Sequence, residues 1–276
     1  RAGSLNSSDV KEIMRQLLEA MDTLHLSGCI HRDIKLDNLV LDRRRRQGEG
    51  VGSGHLVLKV VDFDDAQAWP LPDVPANPDD GPRSVVGTDQ YIAPEAYSGE
   101  YSPASDIFAA GVVLFRLLLG RFPFDARVFD DAPGENFVGS PKMEEIRQRI
   151  HGSVIDFYRR TRGSAEPSTQ ALSLCKRMLA MDPKGRPSAA EALADPWFNT
   201  DRLAHLTIAD LFPSAEPMAP PLSAPPSPSA GRADAAPGLG TSMLPSPTAA
   251  CAGLALGTSM LLPSPTAARV GLAPAA

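Results

Sequence analysis

Six residues stand close enough in type and order to do chemistry together. Residues 29–41 read CIHRDIKLDNLVL, and residues 60–65 read VVDFDD. Asp33 is a carboxylate that could take a proton from a hydroxyl. Lys35 could offset the charge of a phosphate in transfer. Asn38 and Asp62 offer a carboxamide oxygen and a carboxylate, hard ligands suited to Mg²⁺ held together with substrate phosphates. His31 and Arg32 complete the cluster. Any one of these alone would serve as a cap or a surface group. The ordered set Asp33, Lys35, Asn38 and Asp62 reads as the metal-and-base side of a phosphoryl-transfer site.

Such a set needs elements to gather it. Residues 39–41 and 56–61 are apolar runs, read as a strand pair. If they run antiparallel, the start of the first lies beside the end of the second. Asn38, just before one, and Asp62, just after the other, then meet at one end of a hairpin. The connection, DRRRRQGEGVGSG at 42–54, reads as an exposed loop with solvated arginines rather than a nuclear signal or phosphate patch. Upstream, Val10, Ile13, Met14, Leu17, Leu18, Met21 and Leu24 fall on one helical face. That helix is expected to be capped by Ser8 or Asp9 and ended by Gly28.

The 276 residues suffice for one large or two modest domains, and 43% hydrophobic with 22% charged residues is ordinary for a globular chain. A net charge of −6 carries no footprint for nucleic acid. The longest apolar run, 107–119, is interrupted by Arg116 and too short to span a bilayer, so it reads as a buried core helix and no membrane partner is expected. Cys29, Cys175 and Cys251 have no metal-ligand spacing. They read as packing residues in a reduced compartment, cytoplasmic or nuclear. The first residue is Arg1, so the native N-terminus, with any targeting signal, is expected upstream.

From Thr200 the composition turns to Ala, Pro and Ser; residues 211–276 hold 13 of the 27 prolines. Such a segment cannot bury enough apolar surface to offset its ordering entropy, so 200–276 is expected to be disordered. LGTSMLPSPTAA at 239–250 returns as LGTSMLLPSPTAA at 256–268, too short a repeat for a solenoid. Ser227, Ser246 and Ser264 each precede a proline. The acid-rich stretch 125–145 reads as a solvated insertion, with a docking surface for basic peptides as the other reading.

HRDIKLDN at 31–38 resembles the catalytic loop of the eukaryotic protein kinases. Four more motifs follow in that family's order. VVDFDD at 60–65 resembles the segment around its D-F-G magnesium motif, and GTDQYIAPE at 87–95 its A-P-E. SDIFAAGVVLFRLLLGRFPF at 105–124 resembles its long buried helix, and MDPKGRPSAAEALADPWF at 181–198 its closing helices. The resemblance covers roughly 5–199. It implies a mainly α fold: a kinase C-terminal lobe over 1–199, a helical bundle with a short β-hairpin at the catalytic loop, then the disordered tail 200–276. The Gly-rich loop and V-A-I-K strand of an N-lobe are not found, and an N-lobe is expected upstream.

The resemblance implies a protein serine/threonine kinase using ATP and Mg²⁺ on a protein substrate. Asp33 would be the catalytic base. Lys35 would contact the transferring phosphate, its place marking the Ser/Thr branch. Asn38 and Asp62 would hold magnesium. Thr88 would belong to the peptide-receiving loop. Glu95 and Arg186 would form a buried ion pair, Asp106 would brace the catalytic loop backbone, and His31 would be a packed structural histidine. Ser84 stands where many kinases carry an activating phosphate, with Arg32 as its expected partner. Asp64 departs from the family, which has Gly there. It leaves two alternatives open: a pseudokinase or half-kinase interaction module, and a small-molecule kinase of the aminoglycoside-phosphotransferase type. The A-P-E, the 105–124 helix and the Arg186 segment stand against the latter.

Overall fold

The computed structural model describes residues 5–44, 55–70, 83–159, 161, 166–199 and 268–269. Helix α1 spans Ser7–Leu26 and buries the seven apolar residues expected from its periodicity. Its cap is Asn6, not Ser8 or Asp9. The Asn6 side chain accepts from the Asp9 backbone N–H at 2.8 Å, and Asp9 accepts in return from the Asn6 backbone N–H. The reciprocal box satisfies two orphan donors at once. Gly28, at φ 74°, follows the cap Ser27 and turns the chain into the site.

Strand β1 (Cys29–Ile30) pairs antiparallel with β4 (Gln67–Ala68). Strand β2 (Leu39–Arg44) pairs antiparallel with β3 (His55–Val60), Leu39 opposite Val60 and Arg44 opposite His55. The hairpin is thus present, and its pairing runs further than the apolar residues, absorbing 42–44 from the expected loop. Residues 45–54 lie outside the described ones. One edge of β3 is closed by α1. The Gln16 amide donates to the Leu56 carbonyl and accepts from the Leu58 N–H, both at 2.8 Å, standing in for a neighbouring strand. The other edge of β2 pairs antiparallel with a two-residue strand β5, Ala268–Arg269. At those two residues the expectation of a disordered tail does not hold; the rest of 200–276, with its repeats and Ser-Pro pairs, lies outside the described residues. Cys29 is disulfide-bonded, which corrects its reading as a packing residue of a reduced compartment. Chain spacing carried no sign of a pairing that only spatial approach decides. Cys175 is free and buried, as expected.

The core is built around α2, Pro103–Leu119, buried continuously from Ser105 to Phe115. Ser102 caps it, Pro103 opens it, and Gly120 in the left-handed region ends it, so residues 120–124 of the matching motif lie beyond the helix. Helix α3 spans Pro141–Gly152, α4 Thr169–Met178 and α5 Ala189–Leu193. Helix α2 packs on α1 and α4, and α1 also packs on α5. The α2–α4 approach is close at Gly111, where a Cβ would stand 3.0 Å from the Met178 Cβ. Overpacking of this kind costs about 1–3 kcal/mol. Gly111→Val is expected to lower the urea midpoint correspondingly, and an unchanged midpoint would refute this account of the contact. No helix among the described residues is long and apolar enough to cross a membrane.

Four of the six carboxylates in the acid-rich stretch, all but Asp131 and Glu135, are ion-paired, and two of their basic partners, Arg147 and Arg149, lie beyond it in α3. Asp125 pairs with Arg127, Asp130 with Lys142 and Arg149, Glu144 with Arg147, and Glu145 with Lys142 and Arg149. Its last residues, from Pro141, belong to α3. That favours the solvated insertion over a docking surface for basic peptides.

Candidate active site

The hairpin register places the first pair. Val61 N–H donates to the Asn38 carbonyl at 3.0 Å, so Asp62 leaves β3 beside the residue that enters β2. Between α1 and β2 the loop 31–38 crosses the end of α2, where Asp106 receives it. One Asp106 oxygen accepts from His31 N–H at 2.8 Å and the other from Arg32 N–H at 2.9 Å. His25, in the last turn of α1, meets Asp106 Oδ2 through Nε2 at 2.9 Å. A single carboxylate thus ties α1, the loop and α2 together. Arg32 sits at φ 68°, a left-handed position that the two backbone bonds hold.

The loop then delivers Asp33. Its carboxylate is nearly buried, 7% exposed. Lys35 Nζ donates to Asp33 Oδ2 at 2.6 Å and to Thr88 Oγ1 at 2.8 Å, while Thr88 Oγ1 donates to Asp33 Oδ1 at 2.7 Å. Asn38 Nδ2 donates to the Asp33 carbonyl at 3.0 Å and to Asp33 Oδ2 at 3.1 Å. This spends the Asn38 donor and leaves its amide oxygen as the free ligand atom. Asp62 is exposed and makes no ion pair among the described residues. An amide oxygen and a carboxylate with no other claim on them suit a hard cation shared with phosphates, so the residues fit Mg²⁺.

Thr88 reaches this knot because Gly87 lets the chain pass. At φ 122°, Gly87 stands where a Cβ would come within 3.0 Å of the Arg32 carbonyl oxygen and of Ile92. The chain is held from the other side by Tyr101, whose hydroxyl accepts from Val86 N–H at 2.6 Å and donates to the Val86 carbonyl at 3.1 Å.

His31 is fully buried, its ring 4.7 Å from that of Phe63, and burial holds its pKa below the ordinary value, keeping it neutral. Asp64 is exposed in the turn after Asp62. Its φ is not positive; Asp62 occupies the left-handed region instead, at 67°. A side chain at position 64 is therefore no backbone strain. Ser84 and Arg32 are not brought together. Ser84 bridges the backbone of Phe137, while Arg32 Nε donates to the Asp65 carbonyl at 2.6 Å and its guanidinium lies 5.2 Å from the Tyr101 ring centre. Glu95 and Arg186 form a bidentate pair at 2.6 and 2.8 Å.

The motif that builds this knot has counterparts in other proteins. A family model described as Protein kinase domain matches residues 1–198. The chain belongs to the protein kinase family. Similar relatives of the kinase chain include CDPK-related kinase 5 of Arabidopsis thaliana, 29% identical over 71% of this chain and 28% of that protein. Calcium-dependent protein kinase 8 of Arabidopsis thaliana is 31% identical over 70% of this chain and 30% of its own. The Calcium/calmodulin-dependent serine/threonine-protein kinase 1 of Oryza sativa subsp. japonica is 28% identical over 71% and 28%. The kinase chain therefore spans well under half the length of these relatives. Its family uses ATP and Mg²⁺ and acts on proteins.

Two residues of the site escaped sequence reasoning. His25 and Tyr101 carry no motif. Thr88 was expected only in the peptide-receiving loop, yet its hydroxyl touches both Asp33 and Lys35. A depression of about 540 Å³ beside Asp125, Arg127 and Arg149 lies on the α3 side and holds none of these residues.

Proposed function

We propose that this chain carries the catalytic half of a protein serine/threonine kinase, which moves the γ-phosphate of ATP to a serine or threonine hydroxyl. The observation that carries it is the hydrogen-bonded knot of Asp33, Lys35, Asn38 and Thr88. Asp33 orients the attacking hydroxyl and takes its proton as the oxygen–phosphorus bond forms and the bond to the leaving diphosphate breaks. Support comes from Thr88, whose own hydroxyl already donates to Asp33 with the Lys35 ammonium on its other side. Lys35 steadies charge on the transferred group. Mg²⁺, held by Asn38 and Asp62, would neutralise phosphate oxygens. The Gly-rich loop and lysine strand that cover the phosphates would come from an N-lobe upstream in the native protein.

The test is phosphate transfer from radiolabelled Mg-ATP by the native protein that contains this chain. Protein and peptide acceptors with Ser, Thr or Tyr, and amino alcohols and sugars, are offered in parallel. Label on Ser or Thr, abolished by chelation of the metal, is the expected result. Label on the small molecules alone would make it a small-molecule kinase. No transfer to any acceptor would leave a non-catalytic interaction module.

A further inference from the structure

The segment that delivers Thr88 is held in three places. At its C-terminal end, Thr88 is bonded to Asp33 and Lys35. Two residues back, the Tyr101 hydroxyl accepts from Val86 N–H and donates to the Val86 carbonyl. Two residues further back lies a hold that no motif marks. Ser84 forms an antiparallel bridge with Phe137, and Val138 N–H donates to the Arg83 carbonyl at 2.8 Å. Phe137 and Val138 belong to the acid-rich stretch 125–145, so that stretch is paired with the segment leading into the site.

The pairing has a rigid root. Ser140 is buried and caps α3, accepting from Met143 N–H at 3.1 Å. The same residue also ties the turn before it. Its hydroxyl donates to the Glu135 carbonyl at 2.6 Å, and its N–H donates to the Phe137 carbonyl at 3.0 Å. The Val138 side chain packs against the core. It also fills the space over Gly99, where a Cβ would stand 3.1 Å from Val138 Cγ1. Gly99 is the left-handed residue that ends the Pro94–Ser98 turn of the A-P-E. A pairing of two residues on a free loop would scarcely offset its ordering entropy. Here the helix cap and the core have already ordered one of its two sides.

Kinases that order this segment by phosphorylation do so through a new phosphate–arginine pair. Neither the Val86 hold nor the Val138 hold uses a charged side chain. Arg32, the expected phosphate partner, spends its Nε on the Asp65 carbonyl and lies against the Tyr101 ring. We propose that Phe137 and Val138 are positioning residues. They keep residues 83–88, and through them Thr88, on the catalytic loop without a phosphate on Ser84. This rests on the protein kinase reading above for what Thr88 does there.

The test is hydrogen–deuterium exchange of the native protein without nucleotide, after phosphatase treatment that leaves Ser84 bare by mass spectrometry. The amides of Val86, Tyr91 and Val138 are expected to exchange slowly. Val138→Pro removes the donor to Arg83. It is expected to speed exchange at Val86 and Tyr91 roughly fivefold, the scale of one lost hydrogen bond. Val138→Ala keeps the N–H and loses only packing, so it should leave those two amides near the parent rate. Thermal melts check that both variants fold. A Val138 amide that exchanges at the rate of an unstructured chain in the bare parent overturns the inference, with no variant needed. So does a Val138→Pro protein whose Val86 and Tyr91 amides match the parent, or a Val138→Ala protein that loosens them equally. In phosphate transfer, Val138→Pro should lower kcat/KM for the protein acceptor and leave KM for ATP unchanged. An ATP KM that rises in step would make the effect a general loss of structure and overturn the positioning role. Because exchange is read without ATP, the two readings fail separately. Protected amides that loosen only in Val138→Pro, in a protein that transfers no phosphate, keep the positioning and sink the kinase reading. Transfer by bare protein with an unprotected Val138 amide does the reverse.

Discussion

Replacing Asp33 with Asn is expected to lower the proposed phosphate transfer by the native protein about 10²–10⁴-fold, the usual contribution of a positioned general base. Asn keeps the shape of the side chain and loses the basic oxygen. Three donors now converge on the Asp33 carboxylate: Lys35 Nζ, Thr88 Oγ1 and Asn38 Nδ2. An Asn at this position can turn its oxygen to Lys35 and its amide to Thr88, whose hydroxyl can accept as well as donate. The fold is therefore expected to survive, with thermal midpoints close to the parent. The loss should fall on kcat, since the proton is accepted only as the transfer proceeds. A variant with kcat within threefold of the parent would remove Asp33 from the role of base. A large fall in KM-dependent binding with kcat intact would make it a binding residue instead.

Arg186→Ala is expected to cost about 3–5 kcal/mol of folding stability, the range for removing one partner of a buried ion pair. The Arg186 side chain is 0% exposed and that of Glu95 9%. Losing the arginine strands the Glu95 carboxylate with the Ser105 hydroxyl, which donates at 2.9 Å, as its remaining partner. It also strips the Ala104, Ala180 and Met181 carbonyls of their donor and opens space beside Phe108, whose ring centre lies 4.8 Å from the guanidinium. Two segments 91 residues apart are joined here, so the A-P-E turn should loosen from the helical lobe. Urea denaturation reads the cost, and less than about 1 kcal/mol would mean that the pair is dispensable. Arg186→Met combined with Glu95→Leu is expected to recover much of the loss, because apolar replacement removes both desolvation penalties together. By contrast, Arg127→Ala should leave the midpoint unchanged, since its pair with Asp125 is fully exposed.

Both variants fall on residues that their motifs mark, and there is a physical reason why motifs were legible here. The seven buried residues of α1 follow from a 3.6-residue period, which the chain displays without reference to anything distant. The meeting of Asn38 and Asp62 follows from antiparallel register, in which residues flanking two paired runs must lie side by side. Asp33, Lys35 and Asn38 sit within six residues, so one short loop can present all three. Cap identity was less legible. Asn6 and Asp9 each have an acidic residue three places on, so both could form a reciprocal box, and the chain forms it at Asn6.

What sequence alone determined was the local pattern and the order of chemical groups: a helix, a catalytic loop, a hairpin, a buried helix and a closing segment with its arginine. These depend on spacing within a few residues. Tertiary structure decided the partners. His25 reaches Asp106 from 81 residues away, Gln16 closes the edge of β3 from 40, and Thr88 bonds Asp33 from 55. It also turned Arg32 to Asp65 and away from Ser84, paired Cys29, and set the Arg116 guanidinium against the Phe122 ring with Nη1 on the Tyr91 hydroxyl. A hydrogen bond or ion pair is made only over a few ångströms, and which distant residues come that close is set by how the helices pack, not by any pattern along the chain.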